Sequence, residues 1–112
     1  DLALQHMEGA LRIQLQVLGR DHEQVSETIG NIANVHLEQG KLSGALKGHR
    51  EALRILQMIH GDEHWDVATC RNNIAAVQEA LGDYAEALKG YKEAHRILKQ
   101  ILGSEHPDVA IA

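Results

Sequence analysis

The chain has 112 residues, 44% hydrophobic and 24% charged, with one Pro, one Cys and no Phe. That suits a small helical domain packed by Leu, Ile and Ala. A formal net charge of −5 at pH 7 argues against holding nucleic acid through a general basic field. Cys70 has no partner for an internal disulfide, and no signal-like or long apolar run is present, so a cytoplasmic protein without a membrane partner is the expectation.

Residues 1–18 read as one helix with Ala3, Leu4, Met7, Ala10, Leu11 and Gln14 on a single stripe. Gly19 closes it. The next helix runs from Asp21 or Glu23 to Gln39. Val25, Ile29, Ile32, Ala33 and His36 share one side, while Glu27, Asn31, Asn34 and Glu38 line up near the opposite side. Gly40 and Lys41 form a tight turn into a helix over 43–60, whose inward stripe is Ala45, Leu46, His49, Ala52, Leu53, Leu56 and Ile59. Short connections make neighbouring helices antiparallel. The same order returns as Asp62 to Leu81, a Gly82-Asp83 turn, and Ala85 to Leu102. There Ala75, Ala87 and Ala94 permit close approach, with Tyr84, Leu88 and Tyr91 expected to fill the space between helices. After Gly103, Glu105-His106-Pro107-Asp108-Val109 reads as a further helix start.

This recurrence has a fixed period. Gly19, Gly61 and Gly103 are 42 residues apart, as are His22, His64 and His106, and Val25, Val67 and Val109. Asn31, Ile32, Ala33 and Val35 return as Asn73, Ile74, Ala75 and Val77. The chain divides into an unpaired second helix (1–18), two full repeats (19–60 and 61–102) and the start of another (103–112). It starts without Met and ends as a repeat begins, so it reads as a piece of a longer array.

The pattern of Asn31 to Ala33 and Asn73 to Ala75, Gly at 40 and 82, Ala at 45 and 87, His49 or Tyr91, and Ala at 52 and 94 resembles the tetratricopeptide repeat. Ordinary members repeat every 34 residues. The longer period, with Leu102-Gly103 leading to His106-Pro107-Asp108-Val109-Ala110 and with Asn72 to Ala75, is similar to the 42-residue subtype of kinesin light chains. The resemblance implies an all-α solenoid, a right-handed superhelix of antiparallel pairs whose first helices line a concave groove for peptides. Glu27, Asn31, Asn34, Glu38, Thr69, Asn72, Asn73, Ala76 and Glu79 are then the groove candidates. An Asn amide both donates to and accepts from an extended peptide backbone. Gly30 and Asn72 stand where a dicarboxylate clamp needs Lys, which disfavours chaperone tails. Glu27, Glu38 and Glu79 favour a basic, polar or apolar ligand over an acidic one.

Other features compete with the groove. Lys47, Arg50 and Arg54, repeated as Lys89, Lys92 and Arg96, form an outer ladder that is either solvated surface or a site for an acidic partner. The recurring histidines suit a turn role at helix starts better than a metal, and no metal or other cofactor is expected. Cys70 reads as a small core residue, and no phosphate loop, placed acid–base pair or activated nucleophile suggests an enzyme. Trp65 packs on the preceding helix end or stands out as an anchor. The alternative function is self-association through exposed repeat ends, where Leu4, Met7 and Leu11 lack their usual neighbour.

Overall fold

The computed structural model describes residues 2–105 and comprises α1 (Leu2–Leu18), α2 (Glu23–Glu38), α3 (Leu42–His60), α4 (Trp65–Ala80) and α5 (Tyr84–Glu105). Every extensive helix contact among the described residues is between chain neighbours: α1 with α2, α2 with α3, α3 with α4, and α4 with α5. This one-dimensional pattern defines a solenoid. Its radius of gyration, 15.1 Å, exceeds the roughly 13 Å of a compact globule of this length. No described helix is long and apolar enough to cross a membrane.

Local chemistry sets the boundaries. α3 ends at Gly61, whose φ of 83° lies in the left-handed region, and its N–H donates to the Gln57 carbonyl. Both first helices are capped by a histidine. Nδ1 of His22 accepts from the Gln24 N–H and Nδ1 of His64 from the Asp66 N–H, each at 3.1 Å. The histidine thus occupies the place usually held by Ser, Thr, Asp or Asn. The cap moves the start of α4 to Trp65, later than the expected Asp62. At the other end, α5 continues through Gly103 to Glu105 instead of stopping at Leu102. Glycine tolerates either outcome, and Gly103 lacks the positive φ of Gly19 and Gly61. The expected helix start at Pro107 lies outside the described residues.

Packing within a pair depends on small residues. Ala33 and Ala75 are fully buried, and each meets a glycine on the partner helix. A Cβ on Gly48 would stand 2.9 Å from that of Ala33, and one on Gly90 would stand 3.0 Å from that of Ala75. Ala45, Ala52, Ala87 and Ala94 are also buried, while the largest fully buried side chains are Ile55 and Ile97. The single inward stripe expected for the second helices omits Ile55. α3 has neighbours on two sides, so its buried arc is wider than one stripe.

Tyr84 and Leu88 do not fill space between helices, being 69% and 54% exposed. Their counterparts Leu42 and Leu46 are half-buried on α3, which is flanked by α2 and α4. α5 packs extensively on α4 alone among the described helices. Trp65, the first residue of α4, is 49% exposed, so packing on the preceding helix end covers at most part of it.

Candidate functional site

α2 and α4 leave a hollow between them that α3 floors. This cavity of about 330 Å³ takes Glu27, Asn31 and Asn34 from α2, Thr69 and Asn73 from α4, and His49, Ala52 and Leu56 from the floor. Five of the nine expected groove residues therefore meet around one space. Glu38, Asn72, Ala76 and Glu79 do not line it. Glu79 is engaged elsewhere, accepting from the Tyr91 hydroxyl at 2.9 Å. Burial and this bond to the Glu79 carboxylate both raise the Tyr91 pKa.

The asparagines divide by role. Asn34 Oδ1 lies 3.2 Å from Nε2 of His49, tying α2 to α3. His49 is 1% exposed, and burial lowers its pKa, which keeps the ring neutral. With Nε2–H donating to Asn34, the buried Nδ1 has no partner. Asn31 and Asn73 make no such bridge, and their amides stay available toward the cavity. The Thr69 hydroxyl donates to the Trp65 carbonyl at 3.1 Å and retains acceptor capacity.

Three carboxylates, Glu23, Glu27 and Asp66, line the hollow, with no Lys or Arg among its lining residues. Glu23 and Asp66 escaped sequence reasoning because they sit in the first helical turns, where acidic residues are ordinarily read as dipole complements. Cys70 also borders the space but belongs to the core, at 6% exposure, beside Val67, Ala68, Ala94 and Ile97.

Half of the outer cationic ladder, Arg54, Lys89 and Arg96, is committed within the chain. Arg54 Nη2 reaches Asp21 Oδ1 at 3.0 Å, and Arg96 Nη2 reaches Glu63 Oε1 at 3.0 Å, the same bond one repeat later. Glu51 and Glu93 pair with the same two arginines, and Lys89 pairs with Glu86 at 3.3 Å. These contacts pin the loop before each pair to its second helix and favour the solvated-surface reading.

The sequence matches the tetratricopeptide repeat family over residues 1–58, 28–100 and 66–112. No curated protein matches it. The crystal structure of BtubC (BKLC) from P. vanneervenii is similar in fold, with a TM-score of 0.80 and 24% identity. The alignment covers 87% of this chain and 39% of the other, so the chain spans well under half of that protein's length.

Proposed function

The chain belongs to the tetratricopeptide repeat family, with the 42-residue period of its kinesin light chain-like subtype, and from that premise we propose that it binds a peptide or protein segment in the hollow between α2 and α4. Repeats of this family are generally protein-interaction modules. The observation that carries the reading is the composition of the hollow: two uncommitted amides, Asn31 and Asn73, over a partly apolar floor of Ala52 and Leu56, rimmed by carboxylates and by no cation. Amides grip a peptide backbone without dictating side chains, and the carboxylates select a basic or polar segment over an acidic one.

A fluorescently labelled peptide set, read by anisotropy, tests this. Lys- or Arg-containing peptides should bind best. Asn31→Ala with Asn73→Ala should weaken them about 10- to 100-fold, on the order of 1–3 kcal/mol for two lost hydrogen bonds. Melting should stay within a few degrees of the parent. Unaltered affinity would remove the groove assignment.

A second reading, self-association through the repeat ends, has its own observation. α1 has no buried residue, and Leu2, Ile13 and Val17 are 70%, 62% and 74% exposed. The apolar surface differs from that expected. Leu4, Met7 and Leu11 are half-buried, and Leu11 borders a hollow shared with Ile29 and Ile32 of α2. Ile13 stands where Ile55 and Ile97 are fully buried in the two complete pairs. Light scattering after size exclusion should then show mass rising with concentration, and Ile13→Glu with Val17→Glu should return a monomer. A monomeric parent, or an oligomer that survives the double substitution, refutes this route.

A further inference from the structure

His60 closes α3, His64 caps α4, and Asp66 lies in the first turn of α4. Although Gly61 to Glu63 separate the two histidines, the turn stacks their rings with centroids 3.8 Å apart and planes 8° from parallel. One ligand atom from each of the three residues lies within 4.8 Å of the others. His60 Nε2 and His64 Nδ1 are each 3.9 Å from Asp66 Oδ2. A fourth donor comes from α2, since Glu23 Oε1 is 3.3 Å from His60 Nε2. His60, His64 and Asp66 are partly shielded while Glu23 is exposed, and Glu23 and Asp66 also border the hollow between α2 and α4.

The repeat accounts for His64 and in part for Asp66, but for neither His60 nor Glu23. His64 recurs as His22 and His106, and its cap is repeated at His22. At the position of His60 the other copies carry Leu18 and Leu102, at that of Asp66 the first copy carries Gln24 and the third Asp108, and at that of Glu23 the second carries Trp65. The ligand set therefore assembles at this junction and is missing from the preceding one, where Leu18 and Gln24 supply no donor of this kind.

We propose that His60, His64, Asp66 and Glu23 form a binding site for a zinc-class divalent ion at the rim of the hollow. Two imidazoles with carboxylate oxygens suit Zn²⁺, Ni²⁺ or Co²⁺ rather than Mg²⁺ or Ca²⁺, which favour all-oxygen shells. Metal–ligand bonds of about 2.0–2.2 Å put tetrahedral ligands about 3.3–3.5 Å apart, so the His60, His64 and Asp66 atoms close with shifts of roughly 1.5 Å or less as the stacked rings fan open, and Glu23 joins them from beside His60. The two carboxylates balance the ion's charge, offsetting its nearness to the positive N-termini of α2 and α4.

Proton bookkeeping sets the local exchange. At His60 the ion takes the Nε2 lone pair, so the ring's one proton sits on Nδ1 and the Nε2 contact with Glu23 gives way to the metal bond. At His64 the ion takes the ring's one lone pair, so the Asp66 N–H gives up its cap for the metal bond. The bound ion ties the end of α3 to the starts of α2 and α4 and fixes the angle between consecutive repeats.

Calorimetric titration of the tag-free chain with Zn²⁺, with Co²⁺ absorption as the geometric readout, tests the site. The expected result is one ion per chain with tetrahedral Co²⁺ bands. His60→Leu installs the residue of the other copies, so it should keep the fold while weakening Zn²⁺ at least about 10-fold. Asp66→Asn should weaken it comparably, and carries the test should the His60 variant fold poorly. Equal Zn²⁺ affinity in the parent and Asp66→Asn, or octahedral Co²⁺ bands in the parent, would overturn the proposal.

Discussion

Ala75→Leu should lower stability by about 3 kcal/mol and the melting temperature by roughly 10–20 °C. Ala75 is fully buried where α4 crosses α5, and a Cβ on Gly90 would already come within 3.0 Å of the Ala75 Cβ and 3.6 Å of the Arg71 carbonyl. Leucine adds three heavy atoms at this point. The obstacle is another helix's backbone, which yields only by moving the whole helix. Total stability on the order of 5–15 kcal/mol leaves little reserve against such a loss. Ala80→Leu is the control: it adds the same atoms at an exposed position of α4 and should shift melting by only a few degrees. Thermal unfolding followed by circular dichroism measures both. Equal melting of the two variants would show that the pair lacks the close contact on which the fold depends.

Alkylation of Cys70 by iodoacetamide at pH 8 should run at least about 10-fold slower in the folded chain than in urea. Burial first, and the Asp66 carboxylate second, push the thiol from its ordinary 9.0 up to about 11. Two units reduce the thiolate at pH 8 about 100-fold. The greater nucleophilicity of a more basic thiolate recovers roughly 10-fold, leaving about a 10-fold deficit, and limited access slows the reaction again. The rate should climb with pH toward about 11. The stability effect has a definite sign. The folded chain holds this proton more tightly, so the contribution is complete below pH 9.0 and declines as pH rises through about 11. Equal rates in the folded and unfolded chain would restore Cys70 as a reactive group.

The architecture was legible because punctuation and patterning agree at every 42nd residue. Val25, Ala33, Ala45, Ala52 and Leu56 were placed inside by helical spacing, and all are buried. Spacing does not report how many neighbours a helix has, so Ile55 was left outside its expected stripe, while Tyr84 and Leu88 were placed inside and are exposed. The groove was legible in part for a similar reason. Glu27, Asn31 and Asn34 share one helical face, and their alignment with the next copy identified Thr69 and Asn73. Bonds formed between elements do not appear in a period: Tyr91 draws Glu79 away, and His49 rises beneath Asn34. The nearness of His60 and Glu23, 37 residues apart in sequence, needed the folded turn to be seen.

Backbone amide NMR of the chain, titrated with its best basic peptide, tests the central claim most directly. The account predicts that the largest shifts fall on the α2 and α4 faces around Asn31, Asn34, Thr69 and Asn73, with the α4–α5 crossing at Gly90 unmoved. A second hollow of about 580 Å³, lined by Arg50, Arg71 and Lys89 among others, shares no residue with the first. Shifts centred there, or along the exposed stripe of α1, would contradict the assignment of the α2–α4 hollow as the binding surface.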